Sequence, residues 1–280
     1  MKTKQYLIYF AFITFFLTSC VTNYYQVYKV APTEKMIKTD NYLIFEDDNC
    51  KISYNLWGEG GNCGFYIYNK TDENLYLDLK QSFFILNGFA YDYFKSRVYT
   101  HTRSSSLIVS EKAKASKATT EISQMGKIQT NEIQTSISVG SMSSSGNSTS
   151  YDEFDIICVP SKTSKMISEY KINNSLYRDC DLFRYPPKGL VETKAFSKSD
   201  SPLIFSNRIT YTIGKSEKQY EFENEFYVSE ISNYHESDII EWRFIEFCGQ
   251  KSKNKASFFK NSSPDKFYIK YTKEVGSWLH

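Results

Sequence analysis

The chain has 280 residues, 24% of them charged, and a formal net charge of +2. So small an excess excludes the dense basic surface of a nucleic-acid binder, and the length suits one large domain or two small ones. Aromatic residues make up 17%, with 23 Tyr and 21 Phe against 12 Gly and 6 Pro, a composition that favours strands.

The first stretch is an address rather than part of a fold. Lys2 and Lys4 precede an uncharged apolar run over residues 6–17, which has the length of a signal-peptide core and is too short to span a bilayer. The run ends in Leu17-Thr18-Ser19-Cys20, an aliphatic residue and two small ones before a cysteine, which resembles a bacterial lipobox. That resemblance implies removal of residues 1–19 as a lipoprotein signal peptide and acylation of Cys20, which would anchor the protein in a lipid bilayer. Each methylene buried there contributes about 0.8 kcal/mol. Val21 in place of an Asp after the cysteine implies the outer membrane. The lack of an acidic cluster in residues 21–30 implies its periplasmic face. No later run is apolar for long enough to span. Residues 20–40, with Pro32 interrupting any ladder, read as a tether.

Residues 41–280 read as an all-β domain, an antiparallel β-sandwich of Ig-like or related type. Between residues 50 and 94 apolar side chains recur at every second position, the period of strands. A strand at 42–45 ends in the turn Glu46-Asp47-Asp48-Asn49, whose acids lack the alternating spacing of a calcium loop. Ile52, Tyr54 and Leu56 then share a face, as do Phe65 and Ile67, and Leu75, Leu77 and Leu79. The break Gly58-Glu59-Gly60-Gly61-Asn62 has no lysine or helical pattern after it, so it reads as a flexible turn rather than a phosphate loop. Asn87-Gly88 between apolar runs predicts a two-residue hairpin.

From 103 to 150 the chain is rich in Ser, Thr, Lys and Ala and has no aromatic residue, so it reads as a mobile low-complexity insertion that adds nothing to the core. Ala115, Ala118, Ile122 and Met125 have the spacing of one short amphipathic helix within it. Strands resume at 154–159 and 166–172, and Pro186-Pro187 marks a loop. A hairpin is predicted from 206–213 and 219–228, and short strands at 242–247 and 267–271 flank a basic, polar stretch at 249–255.

Lipobox, GFYIYNKTDENLYLDLKQSFFILNG (64–88), IICVPSKTSK (156–165) and DSPLIFSNRITY (200–211) together resemble Bacteroidetes-type lipoproteins. The resemblance covers most of the mature chain and departs chiefly in the Ser-rich insertion. It implies location and fold and no activity, because its motifs are turn residues and strand alternation.

Catalytic signatures are lacking in the sequence. His101, His235 and His280 lie far apart without metal-ligand spacing, and no GxSxG, HExxH, P-loop or CxxC occurs. No metal or cofactor site is expected. Cys180 and His235 are the one thiol–imidazole pair to weigh, with nothing distinctive around Cys180. Beyond Cys20 there are five cysteines, an odd number, and Cys50 and Cys63 are candidates for a bridge because they flank one predicted hairpin.

Alternation also places Lys51, Ser53, Asn55 and Trp57 opposite one buried face, and Tyr66 and Tyr68 opposite Phe65 and Ile67 in the next strand. Pairing of these strands would gather Trp57, Tyr66 and Tyr68 into one aromatic patch. Either the C-terminal strands cover it, or it stays open as a partner-binding site for an envelope protein or a glycan. The function expected is therefore that of a non-catalytic envelope module; a hydrolase acting on cell-wall or other polysaccharide is the alternative. Replacing Cys20 by Ser should abolish incorporation of labelled fatty acid and release the protein from the detergent phase; unchanged labelling would exclude lipidation at this residue.

Overall fold

The computed structural model describes residues 22–106 and 144–273. The signal peptide, Cys20, and the short helix expected around Ala115 to Met125 lie outside these residues. The fold is all-β. Its first strands are β1 (Asn23–Pro32), β2 (Ile37–Lys38), β3 (Leu43–Glu46), β4 (Cys50–Tyr54) and β5 (Phe65–Asn69). Then come β6 (Leu75–Leu86), β7 (Phe89–Asp92), β8 (Val98–Ser106), β9 (Ser144–Asp152), β10 (Ile156–Val159), β11 (Ser164–Ile167) and β12 (Thr193–Ala195). The last part holds β13 (Ile204–Ile213), β14 (Gln219–His235), the single helical turn α1 (Glu236–Ile239), β15 (Ile240–Phe247), β16 (Gln250–Phe259) and β17 (Lys266–Thr272).

An eight-stranded sheet runs in the order β10-β6-β13-β14-β1-β17, with β7 on β6 and β12 on β14. A five-stranded sheet runs β11-β5-β4-β3-β2. The two face each other across one core. Ile52, Tyr54, Phe65 and Ile67 of the smaller sheet meet Phe222, Phe226, Val228 and Tyr211 of the larger, all within one buried cluster. The ring of Tyr54 meets that of Phe226 edge-on at 5.1 Å, and Phe205 stacks on Phe226 at 5.3 Å. Burying a side chain of this size contributes about 1.5–3 kcal/mol, which is why the period-two pattern is so strongly expressed here.

Residues 96–106 and 144–153 belong to a separate unit. In it β8 and β9 pair antiparallel from Val98↔Asp152 to Ser106↔Ser144. The Arg97 guanidinium holds the Glu153 carboxylate at the open end. The ends of the stretch expected to be a mobile insertion are thus a strand ladder: backbone pairing is indifferent to side-chain composition, which is what the Ser/Thr-rich reading weighed. Residues 107–143 lie outside the described part.

Three further expectations need correction. Residues 23–32, expected in the tether, are a strand that pairs along both edges, with β14 from Tyr24↔His235 and with β17 from Asn23↔Thr272. Burial compensates for the weak alternation: Tyr28 and Val30 enter the main core, and a bulge at Lys29/Val30 shifts the register. Pro32 falls at the strand's end, where the missing donor costs little. Second, the basic stretch 249–255 lies in β15–β16, a hairpin with a bulge after Phe244. Third, the Gly-rich break is anchored rather than flexible. Gly60 donates to the Tyr268 carbonyl (2.8 Å), and its own carbonyl accepts from Ile172 and Asn173 (3.0 and 2.9 Å).

Asn87 and Gly88 both have positive φ (48° and 83°), as the expected two-residue hairpin requires. At Gly61 (φ +75°) a Cβ would stand 2.7 Å from Ile172 Cδ1 and 3.0 Å from Phe267 Cγ, whereas at Gly88 it would meet nothing within 4 Å. Gly61→Ala should therefore cost about 2–4 kcal/mol in urea unfolding, and Gly88→Ala only the backbone strain of about 1 kcal/mol; equal losses would mean that Gly61 is not constrained by packing.

Candidate functional site

The outer face of the five-stranded sheet carries an open hollow lined by polar and aromatic side chains. Register puts them together. Ser53 of β4 lies opposite Tyr66 of β5, and Lys51 opposite Tyr68. On the other edge of β5, Ser164 lies opposite Tyr68 and Met166 opposite Tyr66. Directly opposed residues point to the same side, so these form two rows across the sheet. Tyr42, just before β3, completes the wall of a hollow of about 200 Å³ lined by Tyr42, Lys51, Ser53, Tyr66, Tyr68 and Ser164.

The rings are held at angles rather than stacked flat. Tyr42 meets Tyr66 edge-on with centroids 6.1 Å apart. Lys51 Nζ lies 5.5 Å from the centre of the Tyr68 ring, within cation–π range. Tyr66 is 37% exposed, and the neighbouring Met166 (44%) and Ile37 (60%) extend the apolar surface toward both edges. The arrangement offers ring faces, hydroxyls and one ammonium group to a ligand. None of the side chains that line the hollow is a carboxylate; Glu46, opposite Lys51 on β3, is held by Lys70 at 2.8 Å.

Of the expected patch, the structure brings Tyr66 and Tyr68 together and places Trp57 elsewhere. Trp57 follows the end of β4, where the chain turns into the Gly58–Gly61 segment, and it packs edge-on against Phe259 (4.9 Å) and against Tyr268 (5.2 Å). The C-terminal strands pack against Trp57, while Tyr66 stays exposed and Tyr68 half-buried. Lys51 and Ser53 were legible from alternation as outward-facing. Ser164 was not, because its place beside Tyr68 depends on a strand pairing across almost a hundred residues.

The other candidates lead away from chemistry. Cys50 and Cys63 are both free and buried, so the suggested bridge is not formed. Each side chain has its own partner: Cys50 Sγ lies 3.7 Å from an Asp47 carboxylate oxygen, and Cys63 Sγ lies 3.8 Å from Asn207 Oδ1. Burial pushes the Cys63 thiol up to about 12, against a smaller lowering by Asn207. Burial and the Asp47 carboxylate together push the Cys50 thiol higher still. Neither supplies a thiolate at neutral pH. His235 hydrogen-bonds Ser237 at the start of α1 and meets Tyr24 edge-on, while Cys180 is exposed on a loop. Among the described residues no group of three or more His, Cys, Asp or Glu could hold a metal ion.

No protein-family model matches this chain, and neither a curated protein nor a solved structure matches it. The site is therefore defined by its own geometry.

In the folded protein a thiol reagent at neutral pH should label Cys180 and Cys248, both exposed, at least tenfold faster than Cys50 and Cys63. Peptide mapping after brief alkylation reads this, and early labelling at position 50 or 63 would show that the core opens there.

Proposed function

We propose that this protein is a non-catalytic cell-envelope lipoprotein, anchored in the outer membrane through acylated Cys20, that holds a partner on the outer face of its five-stranded sheet. The observation that carries the reading is the open hollow of Tyr42, Lys51, Ser53, Tyr66, Tyr68 and Ser164 on a sheet whose opposite face packs into the main core. Strands β4, β5 and β11 fix the backbone under most of these side chains, which lowers the ordering cost on binding.

Among envelope partners, a glycan suits this lining better than a protein. Tyrosine rings present flat faces to the apolar side of a sugar, and the Ser and Tyr hydroxyls with the Lys51 ammonium supply donors for its oxygens. The hollow accommodates one sugar unit, and its openness leaves room for a chain to continue past Met166 or Ile37. The alternative of a polysaccharide hydrolase has less support, because the lining has no carboxylate pair to act as acid and base or nucleophile.

Binding of purified envelope polysaccharides to the wild-type protein, followed by equilibrium dialysis, tests this directly. Tyr66→Ala and Tyr68→Ala should each weaken retention at least tenfold while the melting temperature falls by no more than a few degrees, since Tyr66 is exposed and Tyr68 half-buried outside the core. Retention that survives both substitutions, or its absence in the wild type, would overturn the reading.

A further inference from the structure

At the end of β14 the chain leaves the large sheet and builds an arm. After the single turn α1, β15 and β16 pair only with each other, from Ile240↔Phe259 at the root to Phe247↔Gln250 at the tip. Cys248 and Gly249 turn the chain with positive φ (50° and 76°), the geometry of a two-residue hairpin. The root is firmly seated. Ile239 and Ile240 are buried with Tyr25 and Val27 of β1, and Phe259 meets Tyr25 edge-on at 5.6 Å.

Beyond the root the apolar side chains lose their cover. Trp242 is 64% exposed, Phe244 48%, Ile245 46% and Phe247 80%. A lone two-stranded ribbon is marginal in water, and a concentration of exposed aromatics on it marks a contact surface. The charge of the arm selects the kind of contact. Residues 240–260 hold five cations (Arg243, Lys251, Lys253, Lys255, Lys260) against two carboxylates (Glu241, Glu246), an excess larger than the net charge of the whole chain. Cations lie beside rings on both faces of the ribbon: Lys255 Nζ is 4.8 Å from the Phe244 ring centre on one, and the Arg243 guanidinium 4.7 Å from that of Phe258 on the other. Aromatic rings that sit at the headgroup level, beside cations whose stems reach back to phosphate, are the chemistry of binding to an anionic bilayer surface.

The position of the arm fits this partner. The Asn23 amide donates to both oxygens of Glu236, in α1 immediately before the arm (3.0 and 3.1 Å). Asn23 is the third residue after Cys20, a reach of at most about 11 Å. A lipid on Cys20 therefore brings a bilayer next to the arm's root. A strand of eight residues extends about 26 Å.

We propose that the β15–β16 arm is a second membrane contact, which inserts Trp242, Phe244 and Phe247 at the interface of an anionic bilayer and pairs Lys251, Lys253 and Lys255 with lipid phosphates. The argument from position rests on the lipoprotein reading; the argument from composition does not. The test removes the lipid. The chain from residue 20 onward, which holds every described strand, is prepared with Cys20→Ser and floated with vesicles. It should bind vesicles of phosphatidylglycerol and phosphatidylethanolamine, fail to bind phosphatidylcholine alone, and dissociate as salt is raised. Replacing Lys251, Lys253 and Lys255 by Gln should weaken binding about fivefold per lysine, on the order of a hundredfold together. Trp242→Ser with Phe247→Ser should weaken it at least tenfold, and because all five side chains are exposed, the melting temperature serves as a folding control. No binding to anionic vesicles, or binding that both sets of variants retain, would overturn the proposal. Loss of the lipoprotein reading would show separately, as absence of fatty-acid label on the wild-type chain.

Discussion

The pairing of β1 along both its edges is the constraint on which the rest of the structure depends. Without it the large sheet would end at β14, and β17 would have no partner. Tyr28 of this strand stacks flat on Phe267 of β17 at 4.5 Å, and both are fully buried. Gln26, 2% exposed, donates to the Tyr177 carbonyl and to Asn233 (2.9 Å each) and accepts from the Tyr177 amide (2.7 Å). With the Tyr28 hydroxyl, which also accepts from the Tyr177 amide (3.1 Å), it pairs backbone groups of a loop laid against β1. If Cys20 bears lipid, the anchor runs almost directly into the most constrained strand of the fold. The body would then be held close to the bilayer at a fixed corner rather than swinging on a tether.

Polar residues inside the sandwich specify how its strands meet. Asn207 of β13 and Asn224 of β14 are opposite each other and fully buried. Asn207 accepts from the Tyr93 hydroxyl (2.7 Å) and donates to the Cys63 carbonyl (3.1 Å), while Asn224 accepts from the Tyr54 hydroxyl (3.0 Å). A slip of one residue would turn these amides out of the core and leave the hydroxyls of Tyr54 and Tyr93 unpaired, at about 1–3 kcal/mol each. Asn69 does the same across the sheets, donating from β5 to the Val159 carbonyl of β10 at 3.0 Å. The interior is thus committed to register. The surfaces the core does not use are the tyrosine face of the smaller sheet and the arm that β1 seats.

Sequence by itself determined that the chain is all-β. It located most strands from 42 to 94, the Asn87-Gly88 turn and the β13–β14 hairpin, because each of these is a local signal: a period of two, or a turn residue whose φ must be positive. It also determined that Tyr66 and Tyr68 face away from the core, since alternation alone decides that. Tertiary structure decided what alternation cannot carry. A strand buried on both faces, like much of β1, shows no clean alternation, so it read as tether until β14 and β17 were seen to pair with it. Trp57 left the patch because the chain turns at Gly58–Gly61 and because Phe259 and Tyr268, some two hundred residues away, cover it. Ser164 entered the hollow through the pairing of β11 with β5, and the arm's aromatics, which on composition alone would pass for core, are exposed because no third strand joins the ribbon. In each case the deciding contact joins segments distant in the chain, and such contacts have no local signature.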